Sequence, residues 1–174
     1  MEEKRALLLH FLAALAYRTQ KAVRGAGIDF AHFEAGNGVR TPTNLIRHMT
    51  SVLGYARTHF VGGSYRAEAL PSFIEELNRF YDMLKSLGDH LENETPFIDI
   101  TPERILQGPF ADAMTHAGQI AMLRRLAADP IRAENFSVAD ISSERLGKDQ
   151  SDPVSPDEDW LGDPGYGPPP DPIH

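Results

Sequence analysis

The sequence predicts an all-α protein, a four-helix bundle followed by an irregular, Pro/Gly-rich C-terminal tail. Three observations predict it. Apolar residues recur at three- and four-residue steps through four long stretches, the period of one face of a helix. Two Thr-Pro pairs, Thr41-Pro42 and Thr101-Pro102, each offer a capping hydroxyl followed by a residue whose missing N–H costs nothing at the first helical position. No strand pattern exceeds the short Phe97-Ile98-Asp99-Ile100 run, which reads as a connection between helices.

In chain order, Leu8, Phe11, Leu12, Leu15, Ala22 and Val23 share a face, so the first helix spans about 2–24 and ends at Gly25 and Gly27. Residues 28–40 hold Asp29, Gly36, Asn37 and Gly38 without a sustained period and read as a loop ordered in part by Phe30 and Phe33. The second helix starts at Thr41-Pro42 and stops near Gly62-Gly63, with Leu45, His48, Met49, Val52, Leu53, Ala56 and Phe60 on one stripe. A third helix over about 70–91 follows from Phe73, Leu77, Phe80, Tyr81, Leu84 and Leu87. The fourth runs from Thr101 to about Ala128, with a kink or restart expected at Gly108-Pro109. The bundle is expected over 1–147. Residues 148–174 are too polar and too rich in Pro and Gly to fold alone, and read as an extended or disordered tail anchored by Trp160 and Tyr166.

Composition narrows the function classes. The 174 residues include no cysteine, which removes disulfides, thiolate metal sites and a cysteine nucleophile, so any metal must take nitrogen and oxygen ligands. A net charge of −8 argues against nucleic acid or an anionic membrane as partner. The longest apolar run, residues 6–17, contains His10 and is too short to cross a bilayer, and no secretory signal is evident, so a cytoplasmic protein is expected.

One stripe carries chemistry. Asp112 and His116 lie four residues apart on the fourth helix, which sets their Cβ atoms about 5–6 Å apart on one face. They interrupt an otherwise apolar line of Ile105, Pro109, Ile120 and Leu123, with Gln119 beside them. An inward, ionised Asp112 would need a cation or a donor network. His48, inside the apolar stripe of the second helix, is the natural third party, giving two imidazoles and one carboxylate, a set that suits Zn, Fe or Ni and leaves a coordination position open. Gln119, Thr115 or Tyr17 could orient the imidazoles. The plainer alternative is that the three groups only hydrogen-bond one another within a core network. His10 reads as an ordinary half-buried residue, and Arg124-Arg125 as ion-pairing residues.

Asn44-Leu45-Ile46-Arg47-His48-Met49, followed by the run from Gly108 to Leu126 with His116-Ala117-Gly118-Gln119 inside it, resembles the DinB/YfiT-like metalloenzymes over about residues 6–147. That resemblance implies a DinB-like bundle of up-down-down-up connectivity, frequent dimers, and a divalent metal held by His48, Asp112 and His116. Many relatives carry histidine where this chain has Asp112, and a carboxylate favours harder ions, so Mn joins Zn, Ni and Fe as a candidate. The implied activity is a metal-dependent one, a thiol-dependent S-transfer or a metal-activated hydrolysis, acting on a small molecule with a low-molecular-weight thiol as partner. The alternative is a non-catalytic metal- or ligand-binding bundle with a role in stress response.

Overall fold

Leucine and alanine spacing builds the first element, α1, Glu3–Val23, whose Leu8, Leu12, Leu15 and Ala16 are inaccessible to solvent or nearly so. The computed structural model describes residues 1–153, and among these the fold is all-helical, without a strand element. A short 3-10 turn at Ile28–His32 follows, tucking Phe30 into the core. Helix α2, Pro42–Val61, starts as expected, with the Thr41 hydroxyl accepting from the Asn44 N–H at 3.3 Å. Helix α3, Phe73–Glu92, begins three residues later than the apolar period suggests. Pro71 disfavours helical backbone at Leu70, and Ser72 caps instead, accepting from the Glu75 N–H at 3.2 Å and donating to its carboxylate at 2.8 Å.

The fourth helix is interrupted where Gly108-Pro109 was expected to disturb it. It divides into α4, Pro102–Ile105, a π-helical turn at Leu106–Phe110, and α5, Ala111–Leu126. Pro109 has no N–H to give and would clash with the carbonyl four residues back. A wider turn relieves both problems: the Ala111 N–H reaches back five residues to the carbonyl of Leu106.

Helix α1 packs on α3 and α5, and α2 packs on the same two, so the first two helices face each other across the bundle, joined by the long 24–41 segment. The registers give the senses. Arg47 meets Glu76 at 2.7 Å, and ten residues on in both helices Arg57 donates to Ser86 at 2.9 Å, so α2 and α3 run parallel. Lys4 meets Glu103 at 2.7 Å and Arg124 donates to the Ala22 carbonyl at 3.1 Å, so α1 and the fourth helix run parallel. Tyr81 bonds Gln20 at 2.6 Å while Arg5 reaches the Thr95 carbonyl at 2.8 Å, so α1 and α3 are antiparallel. Between them lies one core that includes Leu12, Met49, Leu53, Leu84, Phe110 and Ile120. Each such side chain contributes about 1.5–3 kcal/mol by leaving water.

Two irregular segments are fastened to this core. Residues 62–72 fold back along α2, where Tyr65 lies over Gly54; a Cβ there would sit 1.9 Å from the ring. Beyond α5, the chain returns over α1 and α3. Glu134 is buried between Tyr17, at 2.6 Å, and Lys21, at 2.8 Å, and Leu146 fills the notch at Gly88. Residues 148–153 lie against Arg24, which donates to the Gln150 carbonyl at 2.7 Å. Trp160 and Tyr166, the expected anchors of the tail, lie outside the described residues.

The most buried charge is Glu76, inaccessible at the start of α3. It accepts from Arg47 at 2.7 Å, from the Leu70 N–H at 2.9 Å, and from Arg79, joining α2, α3 and the 62–72 segment. Burial pushes its carboxyl up, but the Leu70 N–H and the two guanidinium groups outweigh this and hold it below the ordinary 4.5. A depressed folded value means that this contribution to stability is present above about pH 4.5 and is lost as pH falls through the lower folded value. Glu76→Gln is therefore expected to lower unfolding free energy at pH 7 by about 2–3 kcal/mol, the scale of hydrogen bonds to charged groups. In urea titrations between pH 7 and 3, it should also flatten the acid limb of the stability curve. Gly54→Ala, which must expel Tyr65, should cost about 1–3 kcal/mol in the same measurement.

Candidate metal centre

Side by side on the seam between α2 and α5 stand the three side chains singled out in the sequence. His48 enters the stripe of α2 nearly two turns after its N-terminus, and Asp112 and His116 rise from the first two turns of α5, just after the π-turn. Nε2 of His48 lies 3.9 Å from Oδ2 of Asp112, and Nε2 of His116 lies 3.4 Å from Oδ1. The imidazole rings stand edge to face at 4.7 Å. One ligand atom from each residue fits within a set no wider than 4.8 Å.

Neither carboxylate contact has the length of a normal hydrogen bond, which is about 2.7–3.2 Å. The trio is therefore not a closed hydrogen-bonded network among its own members. Two atoms that both ligate one ion at about 2.1 Å are at most about 4.2 Å apart. Both Asp112 distances already meet that limit, and small side-chain rotations bring the full set within it. The residues fit a divalent cation.

Burial differs from the expectation at one position. Side-chain exposure is 9% for His116, 33% for His48 and 49% for Asp112, so the carboxylate points to the rim rather than inward. The argument that a buried charge demands a cation does not hold for Asp112. Asp112 follows directly on the π-turn, and there the next residue, Ala113, is buried in its place, while His116, Ile120 and Leu123 of the same stripe stay buried. His10 is likewise exposed rather than half-buried.

The orienting groups separate cleanly. Nδ1 of His116 lies 2.8 Å from Oε1 of Gln119, so with the amide oxygen accepting, Nδ1 carries the proton and Nε2 keeps its lone pair toward Asp112 and His48. Thr115 instead donates to the Ala111 carbonyl at 2.9 Å, and Tyr17 is committed to Glu134. For His48, burial, the Arg40 guanidinium and the neighbouring His116 hold the imidazole below its ordinary value against the opposite pull of Asp112, so it is a neutral lone-pair donor at pH 7. Arg124 is 4% exposed and pairs through Nη2 with the Asp129 carboxylate at 2.8 Å, while Nη1 donates to the carbonyls of Ala22 and Arg24 and Nε to that of Asp129. It closes the end of α1 and takes no part in the site.

An open groove of about 720 Å3 adjoins the trio, with Asp112 in its wall together with Ser51, Tyr55, Gln107 and Thr115. The sequence did not signal this groove, because its two walls come from α2 and from the π-turn region, and only their packing creates it. Compared with known proteins, the chain matches no family model, no curated protein and no solved structure. Among the described residues, no helix is long and apolar enough to cross a membrane.

Nitrogen-15 NMR of the histidine rings checks the orientation of His116. The Nδ1–H form should dominate in the native protein, and Gln119→Leu should return the ring to a mixture dominated by Nε2–H, as in free imidazole side chains.

Proposed function

We propose that this chain binds one divalent metal ion through Nε2 of His48, a carboxylate oxygen of Asp112 and Nε2 of His116, and that it acts as a DinB-like metal-dependent enzyme. The carrying observation is the spacing of the trio. Elsewhere around the core, charged groups meet their partners within hydrogen-bonding distance: Arg47 with Glu76 at 2.7 Å, Lys21 with Glu134 at 2.8 Å, Arg124 with Asp129 at 2.8 Å. Here three potential ligands converge and stop at 3.4 and 3.9 Å. The DinB-like connectivity is supported by the helix senses, α1 parallel to the fourth helix and antiparallel to the parallel pair α2 and α3.

A bound ion would supply Lewis acidity, lowering the pKa of a thiol or water and favouring thiol-dependent S-transfer or hydrolysis. The chain's own contribution is the donor set. Gln119 holds the proton of His116 on Nδ1, and the depressed basicity of His48 keeps its nitrogen free of protons near neutrality. The exposed Asp112 and the adjoining groove favour catalysis over a purely structural metal, since three protein ligands leave room for a substrate arriving from solvent. With two imidazoles and one carboxylate, Zn, Ni, Fe and Mn all suit the set.

Elemental analysis of the untagged full chain after incubation with Zn, Ni, Fe or Mn should give about one equivalent of metal. His48→Ala and His116→Ala should each fall below about a tenth of an equivalent while retaining the helical circular dichroism of the parent. Thiol transfer to a small electrophile should then require the metal. Turnover that persists in the metal-free protein would remove the enzymatic reading, and absence of uptake by the parent would remove the metal itself.

A further inference from the structure

Hydroxyl groups on helices commonly donate to the carbonyl four residues back, and this chain shows the habit on both sides of the groove. Thr50 donates to the Ile46 carbonyl at 3.0 Å and Thr115 to the Ala111 carbonyl at 2.9 Å. Ser51 does not. Its Oγ accepts from the Ala67 N–H at 3.1 Å, where the 62–72 segment folds back on α2. An N–H can only donate, so the Ser51 oxygen acts as acceptor there and its own proton must point elsewhere. Among the described residues it donates to none.

Ser51 lines the groove, one turn beyond His48 on α2, and Asp112 and Thr115 line it from α5. The bonds already made distinguish Ser51 from Thr115, and the Tyr55 hydroxyl and Gln107 amide belong to the same lining. Ser51 has a proton to give, whereas Thr115 has spent its proton on Ala111 and can only accept. No lysine, arginine or histidine is among the described residues that line the groove, and its single carboxylate is the candidate metal ligand Asp112. Apart from the proposed metal, an anionic ligand would find no cationic side chain among these lining residues, and a cationic one would compete with the metal for Asp112.

We infer that Ser51 is a substrate-binding residue: its hydroxyl donates into the groove, which takes an uncharged small molecule carrying a hydrogen-bond acceptor a few bonds from the end that reaches the metal. This rests on the metal reading for the position of the reactive end. Within that reading it names the substrate class as a neutral hydroxyl- or amide-bearing thiol or acceptor molecule, rather than an acid or a simple alkyl compound. In this reading the 62–72 segment takes part in the site, since the Ala67 N–H occupies one lone pair of the Ser51 oxygen and leaves its proton to donate elsewhere.

The full chain loaded with Co(II) provides the test, read by the visible ligand-field bands for metal and the near-ultraviolet sulfur-to-cobalt band for thiol. The probes are 2-mercaptoethanol and 1-propanethiol, nearly equal in size and differing by hydroxyl against methyl. The native chain should bind 2-mercaptoethanol about tenfold more tightly, the scale of one hydrogen bond in a site built for it. Ser51→Ala should remove the preference while keeping cobalt and its visible spectrum, and Ser51→Thr, which retains a hydroxyl, should restore it. Equal binding of the two thiols by the native chain overturns the role of Ser51, as does a preference that survives in Ser51→Ala. Cobalt bound without any thiol band overturns the placement of the groove at the open position. Failure to take up cobalt at all overturns the metal reading, and this inference with it.

Discussion

The packing of α2 against α5 sets the separation between His48 and the Asp112–His116 pair, and the proposed metal site depends on it. The seam is made by Leu45, Met49 and Leu53 on one helix and by Ala113, Ala117 and Ile120 on the other, all buried in the common core. Across this seam His48 comes within 3.9 Å of the Asp112 carboxylate and its ring within 4.7 Å of the His116 ring, with small alanines at two of the facing positions. Interiors of this density do not shift by an ångström without cost. The geometry of the trio is thus inherited from apolar packing rather than from attraction among its members.

Charge is handled in two contrasting ways. Glu76, Glu134 and Arg124 are buried, each with a partner of opposite sign and at least one hydrogen bond besides. These networks join segments distant in sequence: α2 to α3 and the 62–72 segment, α1 to the return segment after α5, and α1 to the end of α5. Such groups are costly to leave alone and stable when complete. His48 and Asp112 stand partly exposed beside the buried His116, and the contacts among the three are longer than hydrogen bonds, a condition under which a site can exchange ligands with solvent.

The π-turn links fold to site. Pro109 forces one extra residue into the turn at Leu106–Phe110, and this turns α5 so that His116 faces inward while Asp112 reaches the rim beside the groove.

The sequence by itself determined what is local. Helix starts at Thr41-Pro42 and Thr101-Pro102, the break at Gly108-Pro109, the pairing of Asp112 with His116 and the bond from His116 to Gln119 all arise within four or five residues, where side-chain spacing and backbone chemistry leave few choices. The start of α3 was misread because its apolar period extends past Pro71 into residues that cannot be helical. Only the tertiary structure decided the rest: how far His48 lies from its partners, that Asp112 is half exposed, that Tyr17 answers to Glu134 rather than to an imidazole, and that the Ser51 oxygen accepts from the Ala67 N–H. Each of these depends on what a second segment brings alongside. A period along one helix specifies a face but not what covers it.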